Sequence, residues 1–196
     1  MTRPTRIATG ISMTTTGVLF KNALMKVVGA SLLFRFEPHG PMLEKLTRMF
    51  SDAAAVAKGY GIKLAVENHI DFNPEEMLSL ITNVHSPYLG MNFDTGNTFI
   101  AGQDPVAFCE RFKDRINHVH YRNIRVDTPY FKYTEVFHDE GDCDMLACMK
   151  AFHEVNYQWL LIPDHTPAFS GDTKGNQMGW AWALGYLSAL RHTAES

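Results

Sequence analysis

Four residues in this chain have the type and spacing to hold a metal ion. Glu67 follows the apolar run IKLAV, Asp94 follows LGMNF, His120 follows INHV and Asp164 follows WLLIP. They stand 27, 26 and 44 residues apart along the chain. Three carboxylates and one imidazole form a hard, oxygen-rich donor set. Such a set suits Mn²⁺, Mg²⁺ or Co²⁺ better than an ion that prefers thiolates. Taken singly, an Asp or Glu after a strand reads as a helix cap or turn residue. Four at the ends of successive strands read together as ligands, because parallel strands bring their C-terminal ends onto one face.

The elements needed to position them are written in the pattern. SLLFRFE (31–37) reads as a strand, and helical spacing of Leu43, Leu46, Phe50, Ala53, Ala54 and Ala57 follows over Met42–Tyr60. Gly59 and Gly61 end that helix. IKLAVE (62–67) is the next strand. Asn73 caps a helix with Pro74 at its first position and Glu75 and Glu76 in its first turn. LGMNFD (89–94), a helix opened by Asp104-Pro105, INHVHY (116–121), a helix capped by Asp144, WLLIP (159–163) and a last helix through Ala181–Leu190 complete the pass. Strand and helix alternating about every 30 residues is the signature of parallel βαβ units and an α/β fold.

Neighbouring positions add detail. Strand alternation puts His118 and Arg122 on the face of His120. His118 reads as interior packing, and Arg122 as an inward-pointing substrate contact. Asn123–Gly141 is expected to be a long loop, with His138, Asp139, Glu140 and Asp142 as loop charges. His69 and Asn68 line the pocket or cap the next helix.

Composition excludes several classes. The 196 residues carry 18 Lys+Arg against 21 Asp+Glu, a net charge of −3, with 45% hydrophobic and 20% charged residues. That composition supports a packed core and argues against disorder. It also argues against a basic nucleic-acid-binding face. No run approaches the roughly 18 apolar residues of a membrane span, and the N-terminus does not read as a secretory signal. Cys109, Cys143 and Cys148 lack a paired CxxC spacing, which fits helix packing in a reducing, cytoplasmic setting. The expected partner is a small molecule, with no nucleic acid and no membrane.

These residues also carry a resemblance. AVENH (65–69), NFDTGN (92–97) and HVHYRN (118–123) resemble the metal-binding strand ends of the xylose isomerase-like sugar isomerase and epimerase superfamily. YTEVFHDEGDCDM (133–145), LIPDHTP (161–167) and MGWAWALGYLSAL (178–190) resemble the mannonate dehydratase family within it. The resemblance implies a (β/α)₈ TIM barrel, Mn²⁺ as cofactor (or Mg²⁺ or Co²⁺), and dehydration of D-mannonate to 2-keto-3-deoxygluconate. It makes Asp94, His120 and Asp164 ligands, with Glu67 or His69 where that family has a ligand His. It makes His165 the acid/base, with Glu67 and Arg122 beside it in catalysis. His69, Asn97, Arg122 and His165 become substrate-binding residues. Two departures are visible: Asp94 replaces the dehydratase's usual Cys, and Asp164 replaces the epimerases' Glu. A second reading is therefore a metal-dependent sugar or sugar-phosphate isomerase or epimerase, with Glu67 and Asp164 shuttling protons. A third is a non-catalytic metal-binding remnant.

Length bears on the fold. A full barrel takes about 250 residues. The 166 residues from Ser31 to Ser196 suffice for about five units by that figure. The expected architecture is therefore an incomplete barrel over 31–196 behind an uncertain segment 1–30. IATGIS or ALMKVVG within that segment could add one short element. A second copy of the chain could complete the barrel.

Overall fold

Short-range chemistry sets most of the element boundaries. The computed structural model describes residues 23–29, 37–129, 131–173 and 175–196. The expected strand SLLFRFE lies outside the described residues except for Glu37. In chain order the elements are β1 (Ala23–Val28), α1 (His39–Tyr60), β2 (Ile62–Glu67), α2 (Pro74–Val84), β3 (Leu89–Asp94), α3 (Thr95–Ile100) and α4 (Pro105–Phe112). They continue with β4 (Ile116–Tyr121), β5 (Ile124–Thr128), β6 (Lys132–Glu135), α5 (Met145–Glu154), β7 (Leu160–Pro163) and α6 (Gln177–Ala194). The main sheet runs β1-β2-β3-β4-β7. Its five strands are parallel, an incomplete (β/α)₈ barrel of the α/β class. All six residues of β3 and all six of β4 are buried, as expected of parallel strands covered on both faces.

The chain groups into two compact units. The unit that contains residues up to Phe93, together with 114–118, holds β1, α1, β2 and α2. There β1 pairs with β2 from Ala23–Ile62 to Val28–Glu67, and β2 pairs with β3 from Leu64–Leu89 to Glu67–Asn92. So ALMKVVG does supply a strand. α1 packs on β2 and α2 through Leu46, Phe50, Ala54 and Ala57. Its end at Gly61 has φ +65°, a left-handed turn that glycine adopts without strain. The second unit holds Asp94–Lys113 and Val119–Ser196. In it α5 packs against α4 and α6, and α6 against β7.

The cap of α2 follows the sequence closely. Asn73 Oδ1 accepts from the Glu76 amide at 2.9 Å, and Glu76 Oε2 accepts from the Asn73 amide at 3.0 Å. This capping box satisfies two backbone donors at once. Asn73→Ala is expected to cost about 1 kcal/mol, which lowers Tm by about 2–4 °C in a chain of this size. A thermal melt reads it.

Two expectations are corrected. The segment 123–141 is not a plain loop: β5 and β6 form an antiparallel hairpin within it, from Ile124–Glu135 to Thr128–Lys132. The last helix begins at Gln177 rather than Ala181, because Asp172 Oδ2 accepts from the Met178 amide at 2.7 Å and supplies the missing cap. Among the described residues, no helix is long and apolar enough to cross a membrane.

Candidate metal centre

Each expected ligand sits at or just past a strand end. Asp94 closes β3 and caps α3, accepting from the Asn97 amide at 2.7 Å. His120 lies near the end of β4. Asp164 follows β7, its amide donating to the Tyr121 carbonyl at 3.1 Å. His120 Nδ1 lies 3.1 Å from Asp164 Oδ2 and 3.9 Å from Asp94 Oδ2. Glu67 closes β2, is buried, and forms an ion pair with Lys26 Nζ at 2.8 Å. Within the second unit, one ligand atom from each of Asp94, His120 and Asp164 lies within 4.8 Å of the other two. Ligands at roughly 2.0–2.6 Å from a shared divalent ion stand up to about 4–5 Å apart, so this donor set fits one.

Arg122 is the keystone of the polar network around Asp94. It is only 4% exposed, and Asp94 is 1% exposed. Its Nε donates to Asp94 Oδ1 and Oδ2 at 3.0 and 3.1 Å, Nη1 to Glu135 Oε1 at 2.5 Å, and Nη2 to Asn97 Oδ1 at 2.6 Å. The backbone is fixed as well, with Thr95 Oγ1 donating to the Arg122 carbonyl at 2.7 Å. Burial works against the cation, but Asp94 and Glu135 more than offset it and hold the guanidinium charged. The Arg122 side chain lies across Gly96: a Cβ there would stand 2.7 Å from Nε and 2.8 Å from Cγ. Gly96→Ala is therefore expected to push Arg122 off Asp94. Lower thermal stability and weaker Mn²⁺ affinity, read by melting and titration, are the expected results.

Asp164 carries a pH signature. Burial raises its pKa, but the His120 ring beside it, His165 and Arg122 outweigh that and bring the carboxyl to about 2. A depressed carboxylate stabilises the fold above its unfolded pKa near 4, and that stabilisation is lost as pH falls toward about 2. Metal-free protein should lose stability over that window, and Asp164→Asn should flatten the loss in an acid titration followed by circular dichroism.

The other sequence-marked residues fall as follows. His165 is exposed, with φ +47°, a left-handed conformation uncommon for a side chain with a Cβ. Its Nε2 is 3.4 Å from Asp164 Oδ2 and its Nδ1 is 3.9 Å from Glu135 Oε1. Asn97 is buried, with its Oδ1 engaged by Arg122. His69 is half-buried, and its Nδ1 has no hydrogen-bond partner among the described residues. His118 is buried, with Nδ1 2.7 Å from Asn92 Oδ1. His138 is no surface charge: it is fully buried, donates from Nε2 to the Tyr121 carbonyl at 2.7 Å, and is pushed toward neutrality by burial. Glu135 belongs to this constellation, although sequence reasoning passed over it. The available signal was its place in the segment YTEVFHDEGDCDM.

Comparison with known proteins gives a family and a fold. The family model described as D-mannonate dehydratase (UxuA) matches residues 42–193. The chain is 30% identical over 141 residues to the mannonate dehydratase of Endomicrobium trichonymphae, covering 62% of this chain and 37% of that one. Among solved structures, mannonate dehydratase from Streptococcus suis serotype 2 superposes with a TM-score of 0.72 at 21% identity, over 82% of this chain and 52% of that one. The IOLI protein, solved with a zinc atom, gives a TM-score of 0.72 at 14% identity, over 88% of this chain and 64% of that one. At those identities the structural likenesses show the fold. The chain spans well under half the length of the first curated relatives it matches.

Proposed function

The chain belongs to the D-mannonate dehydratase (UxuA) family, and we propose that it is a divalent-metal-dependent sugar-acid dehydratase, a hydro-lyase acting on D-mannonate to release water and 2-keto-3-deoxygluconate. The observation that carries the reading is the strand-end set of Asp94, His120 and Asp164, with ligand atoms within 4.8 Å of one another. These residues, joined by Glu67 at the end of β2, would hold the ion, Mn²⁺ by preference and Mg²⁺ or Co²⁺ as substitutes. Bound there, it would supply Lewis acidity toward the substrate's carboxylate end and stabilise the charge that develops when the adjacent proton leaves.

The remaining roles fall to this chain's own side chains. His165 is the proton-transfer group: its exposed ring sits beside Asp164, where it can give a proton to the departing hydroxyl. Arg122 fixes the orientation of Asp94, and the two N–H donors not engaged by Asp94, Glu135 and Asn97 are left for a substrate carboxylate. Asn97 sustains Arg122, while His69, with an open ring nitrogen, contributes to substrate binding. Three free thiols suit the reducing cytoplasm expected of such an enzyme.

Epimerisation is the second reading. It is favoured by Glu67 standing where the dehydratase family has a ligand His, and it would use Glu67 and Asp164 as paired proton carriers. Mass separates the two. Incubation of the Mn²⁺-loaded protein with D-mannonate is expected to give a 2-keto acid lighter by one water. A product of unchanged mass would transfer the assignment to the epimerases, and no product at all would overturn both.

A further inference from the structure

Glu135 closes β6 at 35% side-chain exposure, and its two oxygens differ sharply. Oε1 accepts from Arg122 Nη1 at 2.5 Å. Oε2 is buried and has no hydrogen-bond partner among the described residues. Buried acceptors are satisfied in nearly all folded proteins, so this oxygen calls for a donor. Three of the five N–H donors of Arg122 are placed on Asp94, Glu135 Oε1 and Asn97, and none of the five bonds to Oε2. His165 Nδ1 stands 3.9 Å from Oε1, beyond hydrogen-bond reach, and Lys132 on the same strand is paired with Asp127. The Arg122 guanidinium bridges Asp94 to Glu135, so the open oxygen lies one guanidinium beyond the ligand set.

We propose that Glu135 is a substrate-binding residue: Oε2 accepts a hydrogen bond from a hydroxyl of a polyhydroxy acid whose carboxylate end is held at the metal centre. This rests on the sugar-acid reading above and adds to it a residue that selects for the length of the hydroxylated chain. A two-carbon hydroxy acid held at the ion does not extend to Glu135. On this proposal the further hydroxyls of a six-carbon acid extend past Asp94 toward Oε2.

Glu135→Gln isolates the effect, because its carbonyl oxygen keeps an acceptor for Arg122 while an NH2 group, a donor only, replaces the open oxygen. The test is calorimetric titration of the Mn²⁺-loaded chain, wild type and variant, with D-mannonate and with glycolate, beside a titration of Mn²⁺ itself. D-mannonate binding should weaken about tenfold to a hundredfold, the range for a hydrogen bond to a charged group. Glycolate and Mn²⁺ affinities should stay unchanged. Unaltered D-mannonate affinity overturns the proposal. So does an equal loss for D-mannonate, glycolate and Mn²⁺, which would make Glu135 only a brace for Arg122. Wild-type protein that binds glycolate but not D-mannonate defeats the sugar-acid reading and this inference with it, a pattern distinct from a loss that appears only on mutation.

Discussion

Asn in place of His165 is expected to lower D-mannonate turnover by about 10²–10⁴-fold, the usual share of a general acid or base, while Mn²⁺ still stabilises the fold. The two readouts separate because His165 lies outside the ligand set: its ring is 3.4 Å from Asp164 Oδ2 but itself more than half exposed. Asn keeps a polar group there and removes the proton carrier. Its tolerance for left-handed backbone suits the φ of +47° at this position, so the fold should persist. Paired rate assays and melts with and without Mn²⁺ read the result. Undiminished turnover would remove His165 from the chemistry. Loss of the Mn²⁺ effect would instead place it among the ligands.

The largest stability effect is expected at Arg122. Arg122→Met would leave Asp94, 1% exposed, without the cation that Nε provides, and would strand Glu135 Oε1 as well. Breaking a buried pair by removing one partner costs about 3–5 kcal/mol, because the remaining charge is not returned to water. That is a large part of a typical total stability of about 5–15 kcal/mol. Arg122→Lys should recover only a little: an ammonium on a flexible stem cannot reach Asp94, Glu135 and Asn97 together as the planar fork does. Urea denaturation of both variants, metal-free, measures the loss. A cost under about 1 kcal/mol, the scale of an exposed pair, would show that the network does not hold Asp94 as described.

What the sequence made legible was mostly local. Asn73, Asp104 and Asp144 each cap the expected helix, because a cap depends only on a side chain and an amide two or three residues on. IKLAVE, LGMNFD and INHVHY match β2, β3 and β4 residue for residue, since buried parallel strands are short apolar runs with sharp polar ends. The misses have non-local causes. IRVDT and KYTE are short and mostly exposed, and each becomes a strand only by pairing with the other. TGNTFI, too short to show helical periodicity, is helical after Asp94, whose side chain caps it. Arg122 could be placed on the inner face by alternation, but its partners Glu135 and Asn97 come from β6 and α3, which no spacing rule connects to it. Glu135 was invisible for the same reason.

The metal centre underlies the proposed chemistry, and a thermal melt tests it most directly: wild type and Asp164→Ala, each in EDTA and then in rising Mn²⁺. Wild-type Tm should climb with Mn²⁺, corresponding to about 2.7 kcal/mol at one hundred times the dissociation constant, and the variant should lose most of that response. A wild-type melt indifferent to Mn²⁺, Mg²⁺ and Co²⁺ alike would contradict the assignment of Glu67, Asp94, His120 and Asp164 as ligands.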